Sequence, residues 1–241
     1  MTVSDPISVL VVGRGKLAKE LLDGLRGPTI ARVLPWSERS TLTDATPLVV
    51  HAGSGRELAE VIDFCALSGA LLLDLSTGDS RLPEVPRFPI VLCPNVNMQM
   101  LYFMALVKQA SQYFAGQDIL IEESHQAAKK TKPGTAIYLA KSLGVPEAAI
   151  RSVRDPKVQV ESLGIPLEFV DRHARHEIVI RDPEVEIRLQ TRVLGKSAYA
   201  TGLAKVIEIV GRSALAAGFH DIVELVMADA RRMSPSTPSR S

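Results

Sequence analysis

Apolar and polar positions along this chain follow two different rhythms. The first apolar run, ISVLVVG at 7–13, is short, β-branched and closed by glycine, which marks a buried strand. It is followed by KLAKELLDGL at 16–25, where Leu17, Leu21, Leu22 and Leu25 recur at helical spacing. The pair then repeats. IARVLPW (30–36) and PLVVHAG (47–53) read as strands, and GRELAEVIDFCALSG (55–69) as a helix closing on Gly69. ALLLDLSTG (70–78) and FPIVLCPNVN (88–97) are two more strands. Strands separated by helix-length segments predict a parallel sheet joined by right-handed crossovers.

Beyond Asn97 the rhythm changes. MQMLYFMALVKQASQYF (98–114) predicts a long helix, QDILIEESH (117–125) a strand and TAIYLAKSLG (135–144) another helix. KVQVESLG (157–164), ARHEIVIRD (174–182) and VEIRLQTRVLG (185–195) alternate as half-exposed strands of an antiparallel or mixed sheet. Two helices are expected to end the chain, over 198–218 with a break near Gly211, and over 219–233. The fold class is therefore α/β, with a Rossmann-type parallel sheet domain first and an α+β domain second. The expected units are 1–97 together with a returning C-terminal helix in 212–233, and 98–211. The Ser/Pro-rich 234–241 reads as a disordered tail.

Composition narrows the function. Of 241 residues 46% are hydrophobic and 23% charged, and the net charge is +1, so no global field favours nucleic acid or an anionic membrane. Any electropositive site must be local. No apolar stretch reaches the roughly 20 residues of a membrane span, and no basic region precedes the first apolar run. Cys65 and Cys93 sit in apolar runs and fit reduced thiols, so a cytoplasmic location is expected; a disulfide between them is the less favoured alternative. His51, His173, His176 and His220 show no metal-ligand spacing with the cysteines, so no metal is expected. His176 lies on a strand, where a structural role competes with one facing the second sheet.

Two segments carry chemistry. VVGRGKLAKELL holds G-x-G-x-x-A at Gly13, Gly15 and Ala18, after a strand and opening a helix. Gly13 permits the tight turn, Gly15 lets backbone approach a pyrophosphate, and the helix N-terminus attracts phosphates. Strand two then runs into PWSERSTL. Glu38 is available to ribose hydroxyls, whereas Ser37, Arg39 and Ser40 suit a 2′-phosphate. Arg39 is either that ligand or an exposed surface arginine, and Trp36 packs either on adenine or in the protein. The set favours NADPH and leaves NADH open. The second segment is SHQAAKKTKPGTA. His125 ends a strand, Lys129 follows four residues later, and Gly134 and Thr135 open a helix, with Thr135 the expected N-cap. That is a proton donor beside an anion site, although Lys129, Lys130 and Lys132 also read as a solvated loop.

This second segment resembles the dihydrodipicolinate reductase family, whose signature runs E-x-H-H-x-x-K-x-D-x-P-S-G-T-A. Glu123, His125, Lys129, Pro133, Gly134, Thr135 and Ala136 match, with one deletion. LSTG (75–78) is similar to the family's G-T-T-G loop and CPNVNMQM (93–100) to its A-x-N-x-S-x-G segment. ARHEIVI (174–180), KSAYATGLAKV (196–206) and AGFHDIVEL (217–225) resemble later landmarks, so the likeness covers nearly the whole chain. It implies a nucleotide-binding domain and a substrate domain with an open mixed sheet, assembled as a homotetramer. It also implies reduction of a cyclic unsaturated dicarboxylate by NADPH or NADH, in lysine and diaminopimelate biosynthesis. His125 and Lys129 would be catalytic. Gln126, Lys132, Gly134 and Thr135 would bind substrate. Gly13, Gly15, Lys16, Leu17, Ser37, Arg39, Gly53, Ser54, Ser76, Thr77, Gly78, Pro94, Asn95 and Val96 would bind cofactor. The chain departs from the pattern where the family's second histidine is Gln126, where the loop shortens to TKPGT, where Lys16 and Leu17 replace arginine and methionine, and at Leu75. Those departures leave room for another cyclic imine or enamine acid as substrate, or for a nucleotide-binding homologue without turnover.

Overall fold

The computed structural model describes residues 6–42, 46–53, 55–76, 82–129, 133–195 and 198–233. The chain begins as the pattern predicts, with β1 (Ile7–Val12), α1 (Lys16–Gly24), β2 (Ile30–Pro35) and a 3-10 turn at Trp36–Thr41. β3 (Leu48–His51), α2 (Leu58–Ser68), β4 (Leu72–Asp74) and β5 (Pro89–Leu92) follow. Next come α3 (Met98–Ala110), β6 (Asp118–His125), α4 (Gly134–Ser142), β7 (Arg151–Val153), α5 (Pro156–Glu161), β8 (His173–Arg181) and β9 (Glu186–Leu194). The last described elements are α6 (Ala200–Gly211), β10 (Gly218–Asp221) and α7 (Ile222–Met233).

The first sheet is parallel in every pairing and ordered β10-β5-β4-β3-β1-β2. Its central strands are apolar on both sides because both faces are covered. Val9, Val11, Val50, Leu73 and Val91 pack toward α1, α3, α6 and α7; Leu10, Val12, Val49, Leu72 and Ile90 pack toward α2 and Trp36. Leu10, Leu72 and Ile90 are wholly buried, and each contributes about 1.5–3 kcal/mol by leaving water.

The second sheet is ordered β7-β6-β8-β9, with β6 parallel to β7 and antiparallel to β8. Period-two alternation puts Ile119 and Ile121 on one face of β6, opposite Ile180 and Ile178 of β8. Further along the same face come Glu123 and His125. A strand that starts in the apolar core thus ends by presenting polar chemistry.

Three sequence expectations are corrected. KVQVESLG is not a strand: Asp155 caps α5, its carboxylate accepting from the Lys157 and Val158 amides at 2.7 and 3.4 Å, with Pro156 in the first turn. The helix expected to 218 ends at Gly211. The helix expected from 219 begins at Ile222, because 218–221 form β10 beside β5. The C-terminal return to the first sheet is therefore a strand and a helix. It is tied to the middle of the chain by Asp221, which accepts from Tyr138 on α4 at 2.8 Å and pairs with Lys108 on α3 at 3.2 Å. The expected tail 234–241 lies outside the described residues.

Candidate active site

A cleft of about 390 Å³ opens between the two sheets. One wall belongs to the first sheet: Gly15, Lys16 and Leu17 after β1, Ala52 after β3, Leu75 after β4, and Cys93 to Val96 after β5. These are the carboxyl ends of parallel strands, where such sheets hold ligands. Gly13 has φ +123°, a conformation that L side chains rarely adopt, and an added Cβ would stand 2.8 Å from the Ala52 carbonyl oxygen. At Gly15 an added Cβ would meet nothing within 4 Å, which leaves open space before α1. The turn therefore fits a pyrophosphate.

Beneath this wall, His51 and Asp74 are buried and joined at 2.9 Å, and Asp74 also accepts from the Ser76 amide at 3.0 Å. Gly53 lies directly against Gly13 and His51. Of the expected cofactor residues, Gly13, Gly53, Ser76, Ser37 and Arg39 do not line the cleft, the last two standing on the 3-10 turn after β2. The Arg39 guanidinium lies 4.6 Å over the Trp36 ring and pairs with Glu60 on α2. Trp36 is buried, edge-on to Phe64 at 5.3 Å. Of the two roles open to Trp36, internal packing is the one this geometry displays. Ser54, Thr77, Gly78 and Lys132 lie outside the described residues.

The opposite wall carries His125, Gln126, Lys129, Pro133, Gly134 and Thr135, with His176 and Tyr199. His125 is aligned from below: its Nδ1 meets the Glu123 carboxylate at 2.7 Å, which leaves Nε2 for the cleft. Glu123 is wholly buried and gripped by Arg154 through two bonds of 2.6 and 3.0 Å. Arg154 also donates to the Lys129 carbonyl at 3.0 Å, and Gln159 donates to the His125 carbonyl at 2.7 Å. One guanidinium thus holds the anchor of His125 and the backbone of Lys129. Burial would raise the Glu123 carboxyl, but hydrogen bonds from His125, Arg154 and Ser152 outweigh it and hold the group down at about 2. Burial lowers His125, against the opposing pull of Glu123, with Lys129 and Arg154 adding to the fall. Lys129 is lowered by burial and by Arg154, while Glu123 works the other way.

Thr135 corrects one expectation. The N-cap of α4 is Pro133, and no side chain caps that end. The Thr135 hydroxyl turns instead across the cleft floor, donating to the Pro94 carbonyl at 3.1 Å and accepting from the Asn95 amide at 3.0 Å. It links the wall of the second sheet to the loop expected beside the nicotinamide. A second link comes from Glu20 of α1, which pairs with Arg172 and accepts from the Tyr199 and Ala200 amides at 2.8 and 3.1 Å, closing the N-terminus of α6.

The sequence pattern did not single out Arg154, Gln159 or Arg172, whose bonds at the site span 25 residues or more. Glu123 was legible: it lies two residues before His125, on the same face of one strand. Among the described residues no group of three or more His, Cys, Asp or Glu is placed to hold a metal, and no helix is long and apolar enough to cross a membrane. Both cysteines are buried and free, and burial pushes Cys65 up to about 12.

A parallel nucleotide-type sheet, an appended mixed sheet and a His–Lys wall between them define the class: a Rossmann-type protein with a separate site sheet. The family model described as "Dihydrodipicolinate reductase, C-terminus" matches residues 100–224, and the chain belongs to that family. It is 35% identical over 135 residues to 4-hydroxy-tetrahydrodipicolinate reductase 2, chloroplastic, of Arabidopsis thaliana, covering 52% of this chain and 39% of that protein. It is 32% identical over 136 residues to 4-hydroxy-tetrahydrodipicolinate reductase of Stenotrophomonas maltophilia (strain K279a), covering 50% and 57%. The matches thus span less than two thirds of these curated relatives' length. The solved structure of a dipicolinate-bound dihydrodipicolinate reductase from Paenisporosarcina sp. TG-14 shares the fold, with TM-score 0.58, 15% identity, and coverage of 90% of this chain and 97% of that one.

Proposed function

We propose that this protein reduces a cyclic unsaturated dicarboxylate with NAD(P)H, converting 4-hydroxy-tetrahydrodipicolinate to tetrahydrodipicolinate and water on the route to diaminopimelate and lysine. The observation that carries the reading is the meeting of His125, Lys129 and the uncapped N-terminus of α4 in one cleft, facing the glycine turn after β1. The nicotinamide cofactor supplies a hydride when bound. Gly13, Gly15, Lys16 and Leu17 would hold its pyrophosphate, and Gly53, Ser76 and Pro94–Val96 would border the ring, with Ser54, Thr77 and Gly78 expected as ligands from the resemblance alone. Ser37 and Arg39 would meet the adenosine end, favouring NADPH.

The chain's own groups do the rest. The first-turn amides of α4, at Gly134 and Thr135, receive one carboxylate of the substrate, and Gln126 borders it, with Lys132 expected as a further ligand from the resemblance alone. Lys129 offers an ammonium to the acid. His125 delivers a proton from Nε2 while Glu123 keeps the ring oriented through Nδ1. Burial favours neutral His125 in the free protein, and a bound dicarboxylate favours its charged form, so substrate binding itself primes the donor. Cytoplasmic placement and a homotetramer belong to the same reading, and light scattering of the purified protein tests the latter.

The assay is NADPH oxidation with freshly generated substrate. Wild type turns over, and Lys129→Ala loses about 10²-fold or more in turnover while NADPH affinity survives. Undiminished turnover in that variant sinks the assignment of Lys129. Wild-type turnover restricted to a different cyclic imine acid redirects the substrate, and Gln126 is the residue that would then explain it.

A further inference from the structure

One buried polar atom beside this cleft has no protein partner. His176 lies on β8, opposite Glu123 on one side and Thr191 on the other. It is 1% exposed and is among the residues lining the cleft, its ring centroid 5.5 Å from that of His125 and edge-to-face with it. Its Nδ1 meets the Thr191 hydroxyl at 3.4 Å. Its Nε2 is buried and, among the described residues, makes no hydrogen bond. A buried donor or acceptor left unpaired is costly, and its place in a ligand cleft indicates that a ligand atom completes it.

We propose that His176 is a further substrate-binding residue: with Thr191 donating to Nδ1, the Nε2–H reaches a carboxylate oxygen of the bound dicarboxylate. The inference rests on the functional reading above and adds a contact from β8 to those from Lys129 and α4. Chemistry favours a neutral donor here. Burial lowers His176 to about 3, and neighbouring His125 and Arg175 add to the fall against the pull of Glu123. The ring therefore offers a fixed hydrogen bond that survives across the working pH range, beside a second imidazole that must gain and lose its proton. Two rings in contact are thus divided, one to bind and one to titrate.

The test is calorimetric binding of pyridine-2,6-dicarboxylate to the NADPH-saturated protein, with thermal melting as the check on folding. His176→Leu keeps the apolar packing and removes the donor; His176→Gln keeps an N–H at a similar reach. The expected result is roughly a tenfold or greater rise in dissociation constant for His176→Leu, substantial recovery in His176→Gln, and NADPH affinity unchanged in both. Should His176→Leu melt far below wild type, the decision passes to His176→Gln, for which near-wild-type binding supports the inference and binding weakened tenfold overturns it. Equal affinity in folded His176→Leu and wild type also overturns it. The functional reading fails separately: wild type that binds the dicarboxylate but oxidises no NADPH with any cyclic acid contradicts catalysis and leaves the His176 contact measurable.

Discussion

His125 and Glu123 show how much of the site depends on single atoms. The imidazole is held at Nδ1 by a carboxylate that Arg154 keeps ionised, and this bond pulls His125 upward against burial. Replacing Glu123 with glutamine removes that pull, so the protonated donor is lost at a lower pH than in wild type. The expected outcome for Glu123→Gln is an alkaline limb of kcat/KM shifted to lower pH, with activity at neutral pH down roughly tenfold or more. An unshifted limb would show that Glu123 does not govern the donor. His125, Lys129, Gly134 and Thr135 were legible as a motif because they lie within 11 residues of one another. Arg154 was not, since nothing local to it marks a partner 31 residues earlier. Thr135 was legible as a helix-start residue but not as a link to Pro94 and Asn95, because the competing acceptor belongs to a distant loop.

At the scale of elements, five of the six strands of the parallel sheet were plain in the sequence, because short apolar runs such as VLVV (9–12), LVV (48–50), LLL (71–73) and IVLC (90–93) are each followed within five residues by glycine or proline. KVQVESLG misled because Val158 and Val160 alternate as a strand does. The Asp155–Pro156 pair just before them is a helix-start signal that outweighs six residues of alternation. β10 was hidden because four residues carry no period of their own and take their form from β5. One close joint lies between elements: a Cβ added at Gly202 of α6 would stand 2.0 Å from the Val96 carbonyl oxygen. Backbone on both sides cannot yield cheaply. Gly202→Ala is expected to lower stability by about 2 kcal/mol or more in chemical denaturation, and to weaken NADPH binding by shifting the Pro94–Val96 loop. A variant as stable as wild type would contradict that packing.

For the whole molecule, the two sheets enclose a site that neither contains, and their buried apolar residues belong to one continuous cluster. Burial lowers His125, His173 and His176, so the unfolded chain takes up protons that the folded one refuses. Stability is then full above the ordinary histidine value near 6.5 and falls as pH drops toward the folded values, about 3 for His176. Glu123, held at about 2, adds a second loss that begins near pH 4–5 and is complete only below its folded value. A melting temperature that declines steadily from pH 7 to pH 4, with the decline shallower in His176→Leu, is the expected record; a flat profile would contradict buried neutral imidazoles.

Hydride transfer across this cleft is the reaction proposed for this protein. It is tested most directly with NADPH carrying deuterium at the transferable C4 position, supplied with freshly made 4-hydroxy-tetrahydrodipicolinate and followed by mass spectrometry of the product. The expected product is a tetrahydrodipicolinate that gains a single deuterium, with wild type and not with Lys129→Ala at matched times. Product formed without deuterium, or labelled cofactor left unoxidised by wild type, would contradict it.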